Sequence, residues 1–203
     1  MRLSYHTYDI PKNIEIKGSI AIDTEAMGLN YTRDRLCVVQ LCDANGNVHI
    51  VHFPDPKYDS PVLKSLLEDE SRLKIFHFAR FDVGIIYKYL NTETKNIYCT
   101  KIASRLSRTY TDSHSLRELC QVLLGVRISK QQQTSDWGSD ILTSEQIDYA
   151  ANDVLHLHNI KGELDKLLKR EGRSIIAKKC FEAVVTRAIL DVMGWDSVDI
   201  FAH

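Results

Sequence analysis

Acidic side chains that interrupt apolar segments are the residues here with the most to say about chemistry. Asp23 and Glu25 stand two apart in SIAIDTEA, residues 19–26. Two-residue spacing on a strand sends both carboxylates to one face. Two anions on one face repel and lose hydration, a cost that a cation between them removes. A strand end that reaches solvent would explain the pair as well. Asp82 closes HFARFD just after an apolar strand, where an acid at a helix N-terminus is also a common device against the helix dipole. Tyr149 and Asp153 in YAAND are four apart, and so share a helix face. Taken together, Asp23, Glu25, Asp82 and Asp153 are four carboxylates without clustered Cys or His. That donor set suits a hard cation such as Mg2+ or Mn2+. Two such ions about 4 Å apart clamp both oxygens of an in-line phosphoryl displacement.

The elements that must position these acids can be read from periodicity and turn chemistry. Ser19–Ala26, Leu36–Asp43 and Asn47–Val51 read as strands, the last two joined by a turn with Asn45-Gly46. Three antiparallel strands are expected first. Strand and helix then alternate: a short helix over Val62–Glu68, a strand over Leu73–Phe78, a helix over Ala79–Leu90 and a short strand over Ile97–Thr100. Ser115 with Glu118, and Thr143 with Gln146, have the spacing of capping boxes. The first opens a helix to about Gly125. The second opens one long helix towards Arg170, and a last amphipathic helix is expected over Arg173–Met193. Between the capping boxes lies a long polar loop, Val126–Asp140, of a length that often carries function. The pattern predicts an α/β fold in which a mixed sheet is flanked by helices.

Composition narrows the classes of function. The chain has 203 residues, 44% hydrophobic and 26% charged, which fits one domain with a real core. With 26 Lys+Arg against 27 Asp+Glu the formal charge is −1, which argues against a protein that coats nucleic acid by charge alone. Five cysteines without a C-x-x-C pair argue for reduced, buried thiols. No apolar run approaches a membrane span, and MRLSYHTYDIPKN lacks a signal-peptide core. A soluble cytoplasmic protein is the expectation.

The three acidic segments, in this order, resemble the exonuclease motifs of the DEDD (DnaQ-like) superfamily, and Tyr149 resembles the mark of its DEDDy subgroup. The intervening VVQLCD, KIASRL, SLRELCQVLLG, KQQQTSDWG and LTSEQIDYAANDVLHL are similar to the ribonuclease D family. The resemblance covers roughly residues 19–168. It implies an RNase H-like fold with a five-stranded mixed sheet and a single 3'-5' exonuclease domain over 1–203. It also implies hydrolysis of RNA from its 3' end to nucleoside 5'-monophosphates with two ions, Mg2+ or Mn2+. By the same resemblance Asp23 would bridge both ions, and Glu25 and Asp153 would complete the site that activates water. Asp82 would help hold the second ion, and Tyr149 would position the water. Leu29 could wedge beneath the terminal base, and His77 could touch sugar or phosphate or be a packed, hydrogen-bonded core histidine. Trp137 could stack on a base or simply pack, beside Gln133, Thr134 and Asp136 in the long loop. Arg33, Arg35, Lys101, Arg105 and Arg108 could line the path of an RNA strand, while the later basic residues read as a solvated helix face. About 50 residues follow Asp153, so a catalytic domain without the helical HRDC domains of longer members is expected. The alternatives are a DNA exonuclease of the same fold and a silent RNA-binding module, although such modules typically lose one or more of the acids.

Overall fold

In a computed structural model, which describes residues 2–128, 132 and 134–202, the chain builds a six-stranded mixed sheet with helices packed on it. The strands are β1 (Leu3–Thr7), β2 (Ile20–Ala26), β3 (Leu36–Asp43), β4 (Val48–His52), β5 (Lys74–Phe76) and β6 (Ile97–Cys99). The helices are α1 (Pro61–Glu68), α2 (Ala79–Leu90), α3 (Thr100–Ser107), α4 (Leu116–Leu124), α5 (Ser144–Leu155), α6 (Leu157–Arg170) and α7 (Ser174–Leu190). Sheet order is β1-β4-β3-β2-β5-β6. The antiparallel meander β2-β3-β4 passes to parallel β5 and β6 through β2. Every residue of β3 is buried, as expected of a central strand covered on both faces. The β3–β4 turn forms as anticipated: Gly46 takes φ 79°, and Asp43 Oδ1 accepts the Asn45 and Asn47 amides at 2.9 and 2.8 Å.

Two expectations require correction. The sheet has six strands rather than five, because β1 joins its edge parallel to β4. Only half-buried, with Leu3 and Tyr5 exposed, β1 carries little hydrophobic signal. Its place depends on contacts from far along the chain, Tyr5 with His52, and His6 Nε2 with His49 Nδ1 at 3.1 Å. The long helix is also two, α5 and α6, divided at His156. Neither Pro nor Gly marks that break. It is demanded by packing, since α5 lies on β2, β3 and β4 while α6 lies on α3 and α4. The last helix ends at Leu190, and Asp191–Trp195 follow as a wider π turn. All five cysteines are free, and four are buried. Among the described residues no helix is long and apolar enough to cross a membrane.

Candidate active site

Strand β2 lies between β3 and β5, and its far end delivers Asp23 and Glu25 to a cleft of about 660 Å³. Helix α2 begins one turn before Asp82, and α5 carries Tyr149 and Asp153 into the same cleft. One carboxylate oxygen from each of Asp23, Glu25 and Asp153 lies within 4.8 Å of the others. Asp82 shares the cleft and accepts a hydrogen bond from the Thr24 hydroxyl at 2.7 Å. The structure therefore brings together all five residues singled out from sequence.

The registry of α5 depends on its cap. Thr143 Oγ1 accepts the Gln146 amide at 3.2 Å, and Gln146 Oε1 accepts the Thr143 amide at 2.9 Å. The side-chain Nε2 of Gln146 then donates to Ser135 Oγ and to the Asp136 carbonyl. The capping box thus also pins the loop before α5. This places the buried Trp137 ring 6.1 Å from that of Tyr149, tilted by 43°. Trp137 lines the cleft but is only 2% exposed and packs against the tyrosine, which favours the packing reading over base stacking.

Electrostatically the site is under tension. Asp82 is 3% exposed and Asp153 9% exposed, and burial pushes each carboxyl up to about 7. The hydrogen bond from Thr24 opposes that rise at Asp82, and the Tyr149 hydroxyl opposes it at Asp153. Burial raises Asp23 and Glu25 well above the carboxylate range too, reinforced by the negative charges of the other acids. Burial beside Asp153 raises the Tyr149 phenol, so it stays protonated at neutral pH. Among the described residues, no lysine or arginine makes a salt bridge to any of the four acids. Clustered acids, two buried and two half-buried, with only oxygen donors and no salt-bridge partner among the described residues fit hard divalent cations.

The weaker candidates divide. Leu29, 80% exposed, His77 and Lys101 all line the cleft. Burial, with the Lys101 and His114 charges, lowers His77 to about 3, so its ring is neutral, and Nδ1 meets Thr100 Oγ1 at 2.9 Å. Thr134 lines the cleft, Asp136 caps the Gly138 amide, and Gln133 lies outside the described residues. Two arginines proposed for an RNA path are committed to the fold instead. Arg35 donates to the carbonyls of Phe53, Pro54 and Gly138 at 2.6, 2.7 and 3.0 Å. Arg108 is buried and donates to the Ser113 carbonyl at 3.1 Å. Arg33 forms a two-pronged pair with Asp34, while Arg105 is exposed. Lys161, Lys166 and Arg170 pair with neighbouring acids on α6 and its end, as a solvated face does.

Sequence reasoning missed the supports. Gln40 Nε2 donates to Asp23 Oδ2 at 3.1 Å, and a polar residue within apolar β3 was the signal available. Thr24 sits between the two acids in sequence, and nothing in the sequence marks its bond to Asp82.

Acids delivered by a sheet strand and two helices to one cleft, with a protonated phenol among them, are chemically able to hold divalent ions of the kind that assist phosphoryl transfer. The family model described as 3'-5' exonuclease matches residues 7–169, and the chain belongs to that family. It is 33% identical to Ribonuclease D of Granulibacter bethesdensis over 154 residues, 76% of this chain and 38% of that protein. The chain spans about two-fifths of the length of the curated ribonuclease D relatives it matches. Among solved structures, Brucella melitensis NrnC bound to pGG aligns over 100% of this chain and 99% of that one, at 46% identity and TM-score 0.94. The same protein with bound Mg2+ aligns over 100% of both chains, at 45% identity and TM-score 0.93. The fold is RNase H-like, as the resemblance implied.

Proposed function

We propose that this chain is a metal-dependent 3'-5' exoribonuclease that trims RNA from a free 3' end and releases nucleoside 5'-monophosphates. The observation that carries this reading is the convergence of Asp23, Glu25 and Asp153 oxygens within 4.8 Å beside Tyr149. Asp23, Glu25, Asp82 and Asp153 would hold two divalent ions, Mg2+ or Mn2+. When bound, such ions acidify water and stabilise the charge that develops on the phosphate and leaving oxygen.

The protein's own groups do the rest. Gln40 and Thr24 hold the Asp23 and Asp82 carboxylates in place and favour their ionised forms. Tyr149 keeps its proton, so it orients the attacking water by a hydrogen bond rather than acting as a base. Trp137 packs against that ring. Mg2+ bound in one Brucella NrnC structure supports the choice of ion, and pGG bound in another supports a short oligonucleotide as substrate.

The test is a time course on 5'-labelled RNA with a single-stranded 3' tail, in Mg2+, Mn2+ or chelator, beside a DNA of matched sequence. A descending ladder from the 3' end with mononucleotide release, abolished by chelator, is expected. Internal cuts, or no metal-dependent products, would overturn the assignment. Faster digestion of DNA would move the substrate to the deoxy series.

A further inference from the structure

Phe78 is the N-cap of α2, and its backbone lies in the left-handed region at φ 70°, ψ 43°. A Cβ clashes there, so the region is left mostly to Gly and Asn, and a bulky residue needs a reason. Asn91 and Asn96, two of the other non-glycine residues with positive φ, are of the usual kind. Tyr8 is not, but its ring packs against the core and its hydroxyl donates to Asp55 at 3.1 Å. Phe78 has no such return. The residue is 44% exposed, takes no part in the hydrophobic core, and lines the acidic cleft.

The surroundings hold the ring in position. One residue before it, the His77 ring bonds Thr100 Oγ1, and that hydroxyl donates to the Phe76 carbonyl at 3.1 Å. Lys101, the next residue on α3, sets its ammonium 4.2 Å from the Phe78 ring centroid. Lys101 also lines the cleft and makes no salt bridge among the described residues. Backbone strain without packing in return, an open aromatic face and an adjacent cation make a chemically specific surface. A flat π-system linked to phosphate, which is a nucleotide, complements both parts.

We propose that Phe78 is the nucleobase-stacking platform of this cleft, held there by its strained backbone, with Lys101 supplying the positive charge beside it for the substrate backbone. This inference rests on the exoribonuclease reading and deepens it. It makes the site select ends by how well a base stacks, purines ahead of pyrimidines and any base ahead of an abasic sugar.

The test compares wild type, Phe78→Gly and Phe78→Tyr in three measurements. The first is KM and kcat on RNA with a normal or an abasic nucleotide at either of its last two positions. Phe78→Gly should raise KM for normal RNA roughly 5- to 150-fold, the usual worth of a base–aromatic stack. That loss should appear mainly in KM, Phe78→Tyr should restore it, and wild type and Phe78→Gly should converge on one of the abasic substrates. The second is fluorescence of 2-aminopurine placed at those positions in RNA whose terminal linkage resists hydrolysis, titrated with protein in Mg2+. Wild type should quench it and Phe78→Gly should not. The third is the melting temperature, which glycine should leave unchanged or raise by about 2–4 °C as the strain is relieved.

Equal KM values for wild type and Phe78→Gly on normal RNA, equal quenching, or a lowered melting temperature in Phe78→Gly would overturn the proposal. The two readings fail separately. A wild type that releases no mononucleotides sinks the exoribonuclease assignment, while the 2-aminopurine titration still judges the platform.

Discussion

Asp153→Asn should destroy activity and yet stabilise the metal-free protein, and the size of that gain follows from the site. The Asp153 carboxyl is pushed by burial from its ordinary 3.8 to about 7. Holding it ionised in the fold at pH 8 therefore costs about 4 kcal/mol. The acids exchange protons as a group, and a neighbour's protonation relieves part of the strain, so about 2 kcal/mol is the expected gain on substitution. In a chain of this length that is a rise in melting temperature of about 4–8 °C. The pH dependence has a definite sign. Between 3.8 and about 7 the folded state binds more protons than the unfolded one, so metal-free wild type loses stability as pH rises through that window. The advantage of the asparagine variant should be full at pH 8 and less than half as large at pH 5. Saturating Mn2+ should reverse the order, because a ligand at 100 times its Kd adds about 2.7 kcal/mol to the protein that binds it, and only wild type keeps the complete carboxylate set. Thermal melts in EDTA and in Mn2+ at both pH values measure all of this. A variant less stable than wild type in EDTA at pH 8, or a gap that does not change with pH, would refute the reasoning.

Other substitutions probe the supports. Tyr149→Phe should still bind Mn2+ by calorimetry while kcat falls about 100-fold or more; undiminished turnover would remove the phenol from the reaction. Thr24→Val deletes the 2.7 Å donor to buried Asp82 and should weaken Mn2+ binding about 10- to 100-fold, read by the same titration. Arg80→Met leaves Asp191, whose side chain is 3% exposed, with Arg187 alone. It should cost about 2 kcal/mol by denaturant unfolding and speed amide exchange in residues 191–202, without altering Mn2+ affinity.

Much of the site was legible because its chemistry imposes a local signature. A carboxylate in an apolar strand is costly wherever the strand ends up, so Asp23 and Glu25 stood out before any neighbour was known. The caps of α4 and α5 and the β3–β4 turn were equally visible, since each is satisfied within four or five residues of chain. Strand β1 and the break at His156 were not, because both answer to surfaces distant in sequence. Arg35 and Arg108 show the same limit from the other side. Their charge suggested phosphate, but carbonyls brought near by folding had already taken their donors.

From its sequence alone this protein had determined which residue types could do chemistry, the elements that bear them and the α/β class, all consequences of short-range periodicity and the price of burying charge. Only the tertiary structure decided that the oxygens of Asp23, Glu25 and Asp153 meet within 4.8 Å, that Thr24 and Gln40 steady the acids, and that Phe78 is held under strain at the rim. Distances between groups more than a hundred residues apart are set by how whole layers pack, and no local pattern encodes them.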